Sequence, residues 1–119
     1  MANSLFERLG GNEGITAIAN DTVDNHLNNP TIGARFVDLD IPKLKQSAAN
    51  FFITGTGGAN VYQGKDMLSA HKGMNISATE FMAVLDDILA ALCKNNIEQR
   101  EQEEVLYVLY GMHREIMHV

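Results

Sequence analysis

The chain has 119 residues, of which 45% are hydrophobic and 20% charged, and its net charge at pH 7 is −6. These proportions are typical of one globular domain over residues 1–119 and exclude a disordered or fibrous chain. The acidic balance makes nucleic acids and anionic membranes poor partners. Cys93 is the only cysteine, which excludes an internal disulfide. Because no signal peptide or long apolar run is visible either, we expect a cytoplasmic protein.

The first 28 residues predict two helices. Ser4 and Glu7 have the spacing of a capping box and are followed by Gly10-Gly11, which indicates a brief first helix. Between Asn12 and Asn28 small and apolar residues then recur at the helical period. This stripe holds Ile15, Ile18, Ala19, Thr22, Val23, His26 and Leu27.

An irregular corner carrying Phe36 separates these helices from a third one, which begins at Pro42. The visible face of the third helix is largely aromatic and holds Leu44, Ala48, Phe51, Phe52 and Gly55. The stretch from Gly55 to Gly64 contains four glycines in ten residues. It is therefore predicted to be a loop rather than the interior of a helix or strand.

A short helix is predicted from Met67 to Lys72, with Asp66 as its cap and Gly73 as its stop. Ser77 and Glu80 form another capping box before a long helix. Its apolar stripe holds Phe81, Val84, Leu85, Ile88 and Leu92, and Cys93 is expected to be a small core residue at its end.

Asn95-Asn96 breaks that helix, and one final amphipathic helix is predicted after it. Its inward residues are expected to be Val105, Val108, Leu109, Met112 and Ile116, and its outward residues Glu98, Glu101 and Glu104. No segment shows a competing strand pattern. The sequence thus predicts an all-α fold.

His71 is the sharpest candidate for chemistry, because it follows Met67 by four residues on one face of the short helix. One ring nitrogen can bind a metal while the other donates to the carbonyl of Met67 or Leu68. A lone histidine suits haem, which needs one axial protein ligand, better than zinc or a di-iron site. An exposed histidine at a helix end is the alternative that spacing alone leaves open.

Four motifs together resemble the group I truncated haemoglobins, the two-over-two globins with a shortened first helix. They are L-F-E-R-L-G-G at residues 5–11, the F-F pair before a G-G loop, Tyr62-x-Gly64, and M-x-x-x-H-x-G followed by Asn75-Ile76-Ser77. No gap is needed from Gly11 to Phe81, and the likeness continues more weakly to about Leu109.

This resemblance implies a two-over-two helical sandwich with a Gly-rich loop before the helix of the proximal ligand, and noncovalent haem b as the cofactor. His71 would be the protein ligand to the iron, and Phe36 the aromatic residue that wedges the haem. The other residues implied to line the pocket are Val23, Leu44, Ala48, Phe51, Phe52, Tyr62, Met67, Ala70, Ile76, Phe81, Val84 and Leu109.

The chain departs from the family opposite His71. Val23 stands where many members have tyrosine, Ala48 where glutamine is common, and Leu44 takes the remaining position. We therefore expect no obvious hydrogen-bond donor to O₂ there. Since such a donor contributes about 1.5–3 kcal/mol, O₂ should leave roughly 10- to 100-fold faster than from a tyrosine-bearing relative. CO should be affected less, and oxidation to the ferric state should be easy.

Two positions that often hold basic partners for the haem propionates are Ser47 and Met74 here, which leaves Tyr62, Lys43 or Lys72 as substitutes. His26 is expected to be a buried or boundary residue rather than a sixth ligand. Some relatives attach a haem vinyl group to a histidine of the last helix. His113 does not align cleanly with that histidine, so the haem is expected to be noncovalent.

The favoured function is reversible binding of a diatomic gas (O₂, NO or CO) by a monomer or weak dimer, with a reductase as a conceivable partner. The alternatives are a haem enzyme for NO, nitrite or peroxide chemistry, and a haem-free helical interaction module. Peroxide cleavage and O₂ retention need positioned donors or acid–base groups. The apolar pocket therefore favours binding over catalysis.

Overall fold

The computed structural model describes residues 3–119, which fold into seven α-helices and one 3₁₀ turn. In chain order these are α1 (Leu5–Arg8), α2 (Gly11–Asn28), the 3₁₀ turn (Gly33–Phe36), α3 (Ile41–Gly55), α4 (Met67–His71), α5 (Ala78–Lys94), α6 (Gln99–Tyr110) and α7 (His113–Ile116). The all-α prediction is confirmed. None of the helices in this part of the chain combines the length and hydropathy needed to cross a membrane.

The helices begin where their capping residues predict. The side chains of Ser4 and Asp66 accept hydrogen bonds from the backbone N–H groups of Glu7 and Ser69. Ser77 and Glu80 make the reciprocal pair of a capping box at the start of α5. Gly10, with φ of +101°, separates α1 from α2 in a conformation that L side chains rarely adopt.

Two helix pairs, α2 with α3 and α5 with α6, form the body of the fold. α2 packs against both α3 and α5, α5 packs against α6, and α1 contacts α2 and α6. The predicted stripes of α2, α5 and the last helical region meet in the main core, which holds Leu9, Ile15, Ile18, Ile53, Ile88, Ala91, Leu92 and Val105. The predicted face of α3 differs, because α3 buries Ala49 and Ile53 instead. Burial of these apolar side chains is what holds the pairs together.

The short helix α4 packs on α7 rather than on the main core. The segment after α4 is tied to the last residues described, because the N–H groups of Gly73 and Asn75 both donate to the carbonyl of Val119 at 3.0 Å. The N–H of His118 donates in turn to Ile76. The position of α4 therefore depends on contacts made more than 40 residues later in the chain.

The prediction of a single final helix is wrong, because the chain breaks at Gly111-Met112 between α6 and α7. Glycine is a poor helix former, and α6 ends just before it. Two side chains also differ from expectation. Val108 is 37% exposed, and the side chain of Glu101 is only 12% exposed because it pairs with Arg8 of α1 at 3.2 Å.

The prediction that Cys93 belongs to the core is also wrong, since Cys93 is exposed. One residue along an α-helix turns the side chain by about 100°. Leu92 continues the buried stripe of α5, and Cys93 is turned away from it toward solvent.

Candidate functional site

A cavity of about 380 Å³ lies between α2 and α3 on one side and α4 and α5 on the other. Its size falls within the roughly 300–1,000 Å³ of small-molecule and cofactor sites. All of the residues implied by the resemblance line it: Val23, Phe36, Leu44, Ala48, Phe51, Phe52, Tyr62, Met67, Ala70, His71, Ile76, Phe81, Val84 and Leu109. The fold thus brings to one place residues that are spread over most of the chain.

The cavity has further lining residues, of which the resemblance had pointed only to Ser47 and Met74, at the positions of the propionate partners. They are Thr22, His26, Ile32, Arg35, Ser47, Met74, Glu80, Leu85, Ile88 and Ile116. Thr22 and His26 belong to the predicted stripe of α2, and Leu85 and Ile88 to that of α5, so helical periodicity could have found them. No pattern in the sequence around Arg35 indicated that it would line the cavity.

His71 ends α4 and faces the cavity with a ring of fixed orientation. Its Nδ1 donates to the carbonyl oxygen of Met67 at 2.8 Å, which confirms the hydrogen bond predicted from their spacing. With the proton on Nδ1, the lone pair of Nε2 is free to bind a metal. Asp66 supports this geometry by capping the helix that carries His71.

The opposite side of the cavity, which we call the Val23 wall, is formed by Thr22, Val23, Leu44 and Ala48. Val23 is only 2% exposed. Thr22 is 3% exposed, and its hydroxyl oxygen has no hydrogen-bond partner within residues 3–119. An unpaired buried hydroxyl is costly, so Thr22 is the one polar exception on an otherwise apolar wall.

His26 is buried, as expected, and belongs to a polar network rather than to the open cavity alone. Its Nδ1 lies 2.7 Å from the carboxylate of Asp87 on α5, which also accepts from the amide of Asn29. The His26 ring stacks on Phe36, with 5.4 Å between ring centroids. The network therefore fixes the corner residue Phe36 against the cavity.

A charged cluster marks one edge of the cavity. Arg35 pairs with Glu80 through two nitrogens, and its Nη2 also donates to the carbonyl of Met74 at 3.2 Å. Hydrogen bonds from Arg35 and from the backbone at Ser77 lower the pKa of Glu80 to about 2. Both side chains therefore remain charged at neutral pH.

The three residues expected to bind the haem propionates, Tyr62, Lys43 and Lys72, are not all at the cavity. Lys43 and Lys72 do not line the cavity, whereas Arg35 does. The ring of Tyr62 lines it and packs edge-on against Phe51, with 5.4 Å between ring centroids. However, the Tyr62 hydroxyl donates to the carbonyl of Lys65 at 2.7 Å.

Two packed helix pairs that enclose an apolar cavity, with an imidazole such as that of His71 oriented at its wall, are typical of the globin class of protein. The bacterial-like globin family model matches residues 4–118, and the chain belongs to that family. Globins bind haem, and membership therefore implies a haem-binding protein.

Individual relatives agree with this assignment. A group 1 truncated haemoglobin of Tetrahymena pyriformis is 29% identical over 89 residues, which cover 75% of this chain and 74% of the relative. The crystal structure of the truncated haemoglobin from T. pyriformis in its Fe(III) form matches with a TM-score of 0.94 and 24% identity, covering 98% of this chain and 100% of that one. The resemblance to group I truncated haemoglobins and the two-over-two fold are thereby confirmed.

A third similar protein is the 2/2 haemoglobin from Synechococcus sp. PCC 7002, whose structure is of the cyanomet state with covalently attached haem. It matches with a TM-score of 0.85 and 24% identity, covering 95% of this chain and 94% of that one. These structural likenesses establish the shared fold.

Proposed function

We propose that this chain binds one haem b through His71 and uses it to bind a diatomic gas reversibly. One observation carries the proposal: the His71 ring faces the apolar cavity while its Nδ1 donates to Met67 at 2.8 Å. That hydrogen bond leaves Nε2 as the only ring nitrogen with a free lone pair. When haem is bound, its iron supplies the coordination position at which O₂, NO or CO binds.

The donor set and the walls fit haem. Haem needs a flat apolar slot and a single axial ligand from the protein. The cavity has mostly aliphatic and aromatic walls and two imidazoles, those of His71 and His26. The His26 ring is bonded to Asp87 and stacked on Phe36, so His71 is the better ligand. Phe36, Phe51, Phe52 and Phe81 supply large aromatic contact surfaces around it. Their burial by a porphyrin would contribute most of the binding free energy.

The Val23 wall supports gas binding rather than turnover. None of its four side chains is titratable, and the Thr22 hydroxyl is the only hydrogen-bond donor among them. Acid–base chemistry on peroxide or nitrite requires such groups near the reacting atoms. We therefore infer fast O₂ release, weak preference for O₂ over CO and ready oxidation, which would make a reductase a useful partner.

We propose that the haem is held without a covalent bond. His113 is the first residue of α7 and does not line the cavity. Its Nδ1 interacts with the carbonyl of Tyr110. It also stacks on the ring of Tyr110, with 4.4 Å between centroids. A ring that contacts Tyr110 outside the cavity lining supports noncovalent attachment.

The test is an absorption spectrum of the purified protein loaded with haem, in ferric, ferrous and CO forms. We expect a Soret band that shifts with oxidation state and with CO. The His71→Ala variant should lose the five-coordinate ferrous spectrum and bind haem more weakly. A His113→Ala variant is the matched control and should give spectra like those of the wild type.

Two results would contradict the proposal. Wild-type protein that takes up no haem would favour a haem-free helical module. A ferrous spectrum unchanged by His71→Ala would show that another group binds the iron. Extraction of the haem into acidified butanone would separately test noncovalent attachment, since covalently held haem stays with the protein.

A further inference from the structure

Arg35 places a positive charge at the edge of the cavity. It is the only lysine or arginine among the described residues that line the cavity, and its side chain is 31% exposed. It therefore lies where the cavity meets solvent. A cation at the edge of an otherwise apolar slot is suited to a ligand that has an apolar body and an anionic end.

The guanidinium of Arg35 is already held in place. Its Nε and Nη2 are bonded to the carboxylate of Glu80, and Nη2 also donates to the carbonyl of Met74. Glu80 is itself fixed by the capping box with Ser77 at the start of α5. A planar fork held on one side in this way is preorganised, so binding a further group costs it little conformational entropy.

The fork also retains donors. Arginine has five N–H groups, and the two on Nη1 of Arg35 have no acceptor within residues 3–119. Arginine commonly bridges carboxylates, and its hydrogen bonds to them are charge-assisted. One more carboxylate can thus be bound without breaking the pair with Glu80.

We propose that Arg35 binds a propionate of the haem, an inference that rests on the proposed function. The haem propionates are carboxylates at one edge of a flat apolar body, and they must lie where the cavity opens to water. Glu80 would hold the Arg35 fork in position, but its own negative charge would weaken the attraction for the propionate. Glutamine at position 80 keeps a carbonyl oxygen that can accept from Arg35 but carries no negative charge. Glu80→Gln should therefore retain haem better than the wild type, and Arg35→Gln should retain it less well.

The experiment measures the rate of haem loss to excess apomyoglobin from the wild type, Arg35→Gln and Glu80→Gln. Because the site is partly exposed, we expect Arg35→Gln to accelerate haem loss about threefold to tenfold. Glu80→Gln keeps a residue that capping boxes accept and should slow haem loss. Arg8→Gln is the matched control, since it breaks an ion pair with Glu101 and Glu104 far from the cavity.

Haem dimethyl ester, which lacks the propionate charges, separates this role from a structural one. With the ester, the wild type and Arg35→Gln should lose the cofactor at the same rate. Suppose instead that both variants accelerate loss, and to the same extent with haem and with its ester. The ion pair would then only hold the 3₁₀ turn against α5, and the inference would be overturned.

The Glu80→Gln comparison keeps the test decisive even if Arg35→Gln fails to fold, because faster haem loss from Glu80→Gln contradicts the inference by itself. Failure of the proposed function looks different. In that case neither haem nor its ester would give a spectrum that depends on His71.

Discussion

The two sides of the cavity are built on different principles. On the His71 side a polar ring is oriented by a backbone hydrogen bond from Nδ1 to Met67, and the helix that carries it is capped by Asp66. On the Val23 wall the side chains are aliphatic, and the only hydroxyl, that of Thr22, has no partner in the described chain. The position of the candidate metal ligand is therefore closely fixed, whereas the opposite side has little polarity with which to act on a bound ligand.

The largest effect is expected from placing a hydrogen-bond donor on the Val23 wall. Val23→Tyr should slow O₂ dissociation by roughly 10- to 100-fold, because a phenolic O–H would stabilise a polar ligand by about 1.5–3 kcal/mol. Stopped-flow measurement of O₂ and CO release checks this, and CO release should change much less. Val23→Phe adds the ring without the hydroxyl and is the control. Equal O₂ rates for the two variants would show that ring size, not polarity, sets the rate.

The polar network that joins His26 of α2 to Asp87 of α5 can be weakened separately. Asp87→Ala removes the partner of His26 and Asn29, so buried polar groups are left unpaired at a cost of about 1–3 kcal/mol in the free energy of unfolding. Urea unfolding measures the loss. Asp86→Ala, at an exposed neighbouring position, should have almost no effect. A similar loss for both variants would mean that the network with His26 contributes nothing specific.

Thr22→Val would remove the only hydroxyl from the Val23 wall and make that wall fully apolar. Because the hydroxyl is buried without a partner, its replacement by an isosteric methyl group should raise the free energy of unfolding by about 1 kcal/mol. O₂ release should stay within about twofold of the wild-type rate. Lower stability together with faster O₂ release would instead identify the Thr22 hydroxyl as a donor to the ligand.

The smallest effect is expected at low pH. Arg35 lowers the pKa of Glu80 from 4.5 to about 2 in the folded protein, so the pair stabilises the fold above pH 4.5 and this contribution is lost as the pH falls toward 2. Glu80→Gln lacks this group and should lose stability less steeply over that range. Thermal unfolding at a series of pH values tests it, and parallel curves for the two proteins would contradict it.

Much of the fold was predictable from local chemistry, because several helices begin at a capping side chain that the sequence shows. Ser4, Asp66 and Ser77 cap the helices they were expected to cap, and the stripe of α2 from Ile15 to His26 is buried as its period predicts. The spacing of His71 predicted a bond to the carbonyl of Met67 or Leu68, and the structure has the one to Met67. Such signals act within one helical turn and do not require the tertiary structure.

Features that depend on distant contacts could not be predicted in this way. Arg35 and Glu80 are 45 positions apart, and nothing near either residue indicates the other. Glu101 was expected to face solvent, but its partner Arg8 lies 93 positions away. The exposure of Cys93 could have been inferred, since it lies one residue beyond the buried row that ends at Leu92. The break at Gly111 likewise had a local cause in the low helix propensity of glycine.

The proposal that His71 is the axial ligand of the haem iron is tested by replacing His71 with glycine and adding free imidazole. If the His71 ring is the axial ligand, the His71→Gly protein should lack the five-coordinate ferrous haem spectrum, and millimolar imidazole should restore it by entering the space that the side chain left. A wild-type spectrum without imidazole, or no response to imidazole in a protein that still holds haem at this site, would contradict the account.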